Sequence, residues 1–284
     1  MERLLYLALV LGLLAGCGQK GTQERKVNAR EVPERADDFV FENDFYCYRA
    51  YGKALEGNPT SPGFDVWVKN CDSLVAEGRY ARYMASGSDS SYHKDHGNGK
   101  DCYKVSVSLG GGASSPLIAD TLRFPATNYR SSEILESTPG TVSFVLHYPA
   151  WEACGYSISL DKTITVTAGD PFAKAVDVYS FTGPSDSLVI AAGLVRHDVV
   201  QELKGPDRIA LWEHASDTSI EPEDGMIGLA LIMPWADSTT IAAGHSLCVR
   251  RIESGEPIEY WFSSVWSKGF IDNPDDWFSL VQEY

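Results

Sequence analysis

The 284 residues carry 39 acidic and 24 basic side chains, a formal net charge of −15 at pH 7. So acidic a chain is not a general nucleic-acid binder, which needs a basic surface to neutralise phosphates. Acidity alone otherwise speaks for a soluble monomer, and an acidic protein that handles acidic sugars must gather its cations in a cleft.

In chain order, Arg3 precedes an apolar stretch over residues 4–14. It is too short for a permanent membrane span and has the make-up of a cleavable export signal. The stretch ends in Leu14-Ala15-Gly16-Cys17, a lipobox. Residues 1–16 are therefore expected to be a lipoprotein signal peptide, leaving Cys17 as a lipidated first residue whose acyl chains make a stable membrane anchor. Residues 17–37 are polar without apolar periodicity and read as a flexible leash. No acidic run follows Cys17, which favours the periplasmic face of a bacterial membrane over the cell surface. Residues 38–284 read as one domain, long enough to bury a substantial core.

Strand signals dominate that domain. Residues 39–51 are aromatic and β-branched, 64–68 follow turn-formers, 105–109 alternate with period two, and 141–147 alternate less cleanly. Residues 157–167 and 172–181 read as two strands around the turn Ala168-Gly169-Asp170-Pro171. Further strands are expected at 188–195, 208–213, 226–233, 245–252 and 259–265, with one short C-terminal helix at 276–283. Short strands between turn residues with little helix predict an all-β fold, a large antiparallel β-sandwich. Besides Cys17 there are Cys47, Cys71, Cys102, Cys154 and Cys248, an odd number that leaves at least one thiol in an oxidising compartment. Cys47 with Cys71, flanking one short connection, is the expected pair.

The segment richest in chemistry is Tyr92-His93-Lys94-Asp95-His96-Gly97-Asn98-Gly99-Lys100-Asp101-Cys102-Tyr103-Lys104. It holds two of the six histidines, and its glycines shape a loop rather than a helix. A divalent metal on His93, His96 and Asp95 or Asp101 lacks the spacing of a helical His-Glu-x-x-His site, so no cofactor is expected, with a divalent metal as the alternative. Arg49, His147, Arg196 and His197 are candidates to line a concave sheet face, and Trp266 with Lys268 to stack on a sugar ring. Each of these alone is more often structural.

These residues resemble the lipoprotein family known as domain-of-unknown-function family 4861, found with polysaccharide-degrading enzymes in Bacteroidetes-type loci. The resemblance is carried by Phe41-Glu42-Asn43-Asp44, Tyr48-Arg49-Ala50-Tyr51-Gly52, Gly63-Phe64-Asp65-Val66-Trp67 and, above all, Tyr92-His93-Lys94-Asp95-His96-Gly97. It continues in Asp101-Cys102-Tyr103-Lys104-Val105, Trp266-Ser267-Lys268-Gly269 and Asp276-Trp277-Phe278. It implies a sandwich similar to galactose-mutarotase-like or supersandwich folds, and a dehydratase removing water from the non-reducing-end uronic acid of plant or algal oligosaccharides. Such a hydro-lyase needs a base for the C5 proton, a cation for the carboxylate and an acid for the leaving hydroxyl. His96 is the expected base, Lys104 or Arg49 the cation, and Tyr92 or His93 the acid, with Asp95, His147, Arg196, His197, Trp266 and Lys268 as substrate contacts. The alternatives are a non-catalytic glycan-binding lipoprotein and a sugar epimerase or mutarotase. The partners expected are an oligosaccharide and, through the lipid anchor only, a membrane.

Overall fold

The computed structural model describes residues 24–55, 62–217 and 223–284. The signal peptide and Cys17 lie outside them. The first strands are β1 (Asn28–Val32), β2 (Asp38–Glu42), β3 (Cys47–Ala50) and β4 (Asp65–Val68). Helices α1 (Ala76–Ser86) and α2 (Ser90–His93) follow, then β5 (Lys100–Asp101), β6 (Ala113–Ile118) and β7 (Thr121–Leu122). A run of long strands comes next: β8 (Ser131–Ser137), β9 (Thr141–Ala153), β10 (Tyr156–Thr167), β11 (Ala173–Thr182) and β12 (Ser187–Val195). The chain closes with β13 (Val199–Lys204), β14 (Arg208–His214), β15 (Met226–Ile232), β16 (Ser238–Ala242), β17 (His245–Glu253), β18 (Pro257–Trp266) and α3 (Pro274–Glu283).

These strands make an eight-stranded sheet, β13-β14-β15-β18-β11-β10-β9-β8, and two five-stranded sheets, β1-β2-β3-β4-β5 and β16-β17-β12-β6-β7. Among the described residues every pairing between named strands is antiparallel, and one core cluster draws on all three sheets. Both smaller sheets cover the same face of the large one, giving the expected sandwich. Phe39 stacks on Phe144 with ring centroids 4.3 Å apart, and Phe64 on Phe262 at 5.3 Å, so the β1–β5 sheet is seated through aromatic contacts. The two smaller sheets meet where Phe64 bridges Gly110. A Cβ on Gly110, at φ +56°, would lie 2.2 Å from the Phe64 carbonyl oxygen, so this approach requires glycine.

Strand alternation assigns the remaining faces. Leu229 and Leu231 of β15 point into the sandwich, whereas Ala230 and Ile232 point away and are covered by Trp277 and Val281 of α3. In the β1–β5 sheet, Phe39, Phe41, Tyr48 and Val66 point inward. Val40, Cys47 and Trp67 point outward, against Tyr80 of α1 and Tyr92 of α2. No helix among the described residues is long and apolar enough to cross a membrane.

Several expectations are corrected. The leash does not extend to residue 37: Asn28–Val32 is an edge strand paired with β2, and Val27 and Val32 are buried. Residues 105–109 are not a strand despite their alternation. Ser106 adopts φ +52°, Val107 is exposed, and the Leu109 N–H donates to His245 Nε2 at 3.0 Å instead of to a ladder. Cys47 and Cys71 are not paired; all five described cysteines are free thiols. Helix α1 has no forerunner in the sequence reading, because its buried face consists of Ala76, Arg79 and Tyr80 and carries no apolar stripe.

Candidate active site

The outward face of the β1–β5 sheet carries charge where its inward face carries aromatic rings. Asp38 on β2, Arg49 on β3, Asp65 on β4 and Asp101 on β5 are all buried there. Arg49 and Asp65 are direct cross-strand partners, and the Arg49 Nη2 lies 2.5 Å from Asp65 Oδ2 and 3.4 Å from Asp101 Oδ2. Its Nη1 is 3.7 Å from Asp38 Oδ2. The guanidinium carbon also sits 5.2 Å from the Tyr51 ring, 5.1 Å from Trp67 and 5.3 Å from Tyr92. Burial opposes its charge, but Asp65, Tyr51, Asp38 and Asp101 together outweigh burial and hold it protonated.

Above this layer α2 and its flanking loops form one wall of a cleft of about 440 Å³, a size suited to a small ligand. Arg35, Arg49, Tyr92, His93, Asp101 and Lys104 contribute to its lining. Arg35 Nη2 donates to Tyr92 Oη at 2.9 Å and Arg35 Nη1 to Asp38 Oδ1 at 3.3 Å. Lys104 is exposed at the rim. His93 Nδ1 lies 3.0 Å from the Asp101 carbonyl oxygen. A carbonyl only accepts, so Nδ1 carries the proton and Nε2 of the neutral ring keeps its lone pair.

Two carboxyls here hold protons unusually well. Burial, with the neighbouring Asp65 charge, pushes Asp101 up to about 7 against the pull of Arg49 and His93. Burial likewise raises Asp38 to about 6, opposed by Arg49 and Arg35. Burial lifts the Tyr92 hydroxyl to about 12 despite both arginines, so it stays protonated. A cleft with a lone-pair imidazole, a protonated phenol and cations is equipped for proton transfer.

The structure brings His93, Tyr92, Lys104 and Arg49 to this cleft. His96 is placed elsewhere: its Nε2 donates to the Ser91 carbonyl at 3.0 Å and it lines a separate hollow behind α2, so that His93 and not His96 faces the cleft. Asp95 shapes the loop, its Oδ1 accepting from Gly97 N at 2.8 Å and Gly99 N at 3.0 Å. His197 buttresses the cleft wall, bonded through Nδ1 to Glu213 and through Nε2 to the Lys104 carbonyl, both at 2.8 Å. The other expected substrate contacts lie away from the cleft. His147 pairs with Asp161 across β9 and β10, Arg196 with Glu202, and Trp266 is buried, donating to the Asp224 carbonyl at 2.6 Å. Lys268 donates to the Glu223 carbonyl. Among the described residues no three His, Cys, Asp or Glu side chains form a metal-binding group, and the three buried aspartates are turned to Arg49. Sequence reasoning missed Arg35, Asp38 and Asp65 as site residues and weighed Asp101 only as a metal ligand. The usable signal was charge at the outward positions of strands whose inward positions are aromatic.

Fold and site together define an all-β sandwich protein with a polar cleft on the outer face of its β1–β5 sheet. The chain belongs to the family described as Domain of unknown function (DUF4861), whose model matches residues 18–284. It is 30% identical over 217 residues to Uncharacterized protein P7 of Formosa agariphila, a match covering 72% of this chain and 51% of that protein. The chain thus spans about half the length of this curated relative. Among solved structures it is similar to the GH36 alpha-galactosidase AgaB from Geobacillus stearothermophilus, with TM-score 0.38 and 10% identity over 84% of this chain and 41% of that one. A second is the GH36 alpha-galactosidase AgaA from the same organism in complex with raffinose, with TM-score 0.34 and 9% identity over 81% and 40% of the two chains.

Proposed function

We propose that this protein is a hydro-lyase that removes water from a uronic acid at the non-reducing end of an oligosaccharide. The observation that carries the reading is the convergence of His93, Tyr92, Arg35 and Lys104 on one cleft. His93 Nε2 takes the C5 proton as the base. The enolate-like charge that develops on the uronate carboxylate is met by Arg35 and Lys104, which are more accessible than the enclosed Arg49. The C4–oxygen bond breaks as the C4=C5 double bond forms, and the Tyr92 hydroxyl supplies the proton that lets the 4-hydroxyl leave as water. The His93 and Tyr92 rings are neighbours, with centroids 4.9 Å apart, and the proton taken from C5 is returned to the phenoxide before the next turnover. A base whose tautomer is fixed by a backbone carbonyl and an acid held protonated by burial are complementary parts of one elimination.

The test is incubation with a panel of uronate oligosaccharides, following the ultraviolet absorbance of an unsaturated uronate and the mass loss of one water. His93→Ala is expected to lower turnover by roughly 10²–10⁴-fold. Saturable binding with no mass change would instead support a glycan-binding module, and a mass-neutral change of configuration an epimerase. The lipobox, by the same proposal, anchors this chemistry in the cell envelope through Cys17. Recovery of the protein in the detergent phase on phase separation, and its loss in Cys17→Ser, checks the anchor.

A further inference from the structure

Behind α2 lies a second hollow of about 400 Å³, lined by Arg82 of α1, Ser90 and Ser91 of α2, and Lys94 and His96 of the loop. Two cations, Arg82 and Lys94, lie in its wall. In a chain of net charge −15, neither Arg82 nor Lys94 forms an ion pair among the described residues, whereas the cleft's Arg35 and Arg49 are engaged by carboxylates. The Nε of Arg82 and the hydroxyl of Ser91 are both shielded from solvent and have no hydrogen-bond partner. Unsatisfied buried donors are costly, and a guanidinium and a hydroxyl in the wall of one cavity are matched by an acceptor with several oxygens. The His96 Nε2 donates to the Ser91 carbonyl, which fixes the ring at the edge of the hollow.

We infer that this hollow is a second subsite, which binds an oxyanion substituent carried by the same glycan chain. α2 is the partition between the two sites: Tyr92 and His93 line the cleft, Ser90 and Ser91 the hollow. One short helix thus ties substrate recognition to the position of the base. Carboxylate and sulfate-type groups share the required chemistry, and a guanidinium fork with a lysine beside it suits either. The identity of the chain rests on the uronate reading, but occupation of the hollow by an oxyanion does not.

The Arg82 Nε–H resonance gives a direct readout in the intact protein. Titration with inorganic sulfate, with phosphate and with a uronate oligosaccharide is expected to shift it saturably, with the oligosaccharide displacing sulfate. Lys94→Gln, an exposed loop change, is expected to weaken each ligand about tenfold by removing one charge-assisted contact. His93→Ala, silent in the elimination assay, is expected to keep the full response, so failure of the hydro-lyase reading and of this inference are separable. No saturable shift with any of the three ligands overturns the subsite. Inorganic ions binding without competition from the oligosaccharide overturns its assignment to the glycan.

Discussion

Arg49 holds three buried carboxylates on one sheet face, and the proton inventory of that cluster sets how the protein responds to pH. Asp101 is held up to about 7 and Asp38 to about 6, chiefly by burial, while an unfolded aspartate titrates near ~3.9. Between those values the folded chain retains protons that the unfolded chain has released. Stability therefore falls as pH rises from about 4 to 7 and levels off above that window. Asp101→Asn removes one ionisation while leaving the backbone carbonyl that orients His93 in place. It is expected to flatten the upper part of the decline and to raise stability at pH 8 by about 1–3 kcal/mol. Urea denaturation at several pH values reads this directly; an unchanged slope between pH 5 and 7 in the variant would show that Asp101 is not the group responsible.

At the scale of elements, β5 is the part that fits Asp101 beneath His93, and its entry depends on Gly99. This residue adopts φ +86°, and a Cβ there would lie 2.1 Å from the Val68 carbonyl oxygen in the strand β5 pairs with. Gly99→Ala is expected to cost roughly 2–4 kcal/mol and to reduce turnover further by separating Asp101 from His93. Gly97, at φ +91° with nothing within 4 Å of its virtual Cβ, is the control: Gly97→Ala is expected to cost only about 1–2 kcal/mol. Thermal melts of the two variants, compared with their turnover, separate the local clash from conformational cost. The same elements show what was readable in the residues. Strands β10, β11, β12, β15 and β17 were legible because each is a long run with alternating or continuous apolar character. β8 was not, since it is an exposed edge with almost no buried position, and neither was α1, whose inward face holds an arginine. His93 and Tyr92 were legible as chemistry through local density, but choosing between His93 and His96 required knowing which side of a one-turn helix faces the cleft. The aspartates were hidden by distance: three strands contribute one each, and only pairing brings them to the same guanidinium.

At the scale of the whole molecule, a second buried ionic group joins the large sheet to its covering layer. Lys162 of β10 pairs with Asp177 of β11 and donates to Tyr260 of β18 at 2.9 Å; Tyr260 in turn donates to Asp177 Oδ2 at 3.1 Å. Ser114 of β6, in the opposite sheet, bonds to Asp177 and lies 2.7 Å from the Tyr179 hydroxyl. All five side chains are essentially removed from water. Apolar contacts alone would let the small sheet slide over the large one at little cost, whereas these bonds to Asp177 Oδ2 form in only one register, so the cluster's role is to fix alignment more than to add stability. Lys162→Met alone strands the Asp177 charge and is expected to cost about 3–5 kcal/mol. Lys162→Met combined with Asp177→Leu removes both charges and is expected to recover most of that loss, with a broader unfolding transition as the sheets lose their fixed alignment. A double-mutant cycle by urea denaturation measures the coupling. Additive losses would mean that the pair does not act as a unit, and a sharp transition in the double variant would place the alignment of the sheets in the aromatic contacts around Phe64 instead.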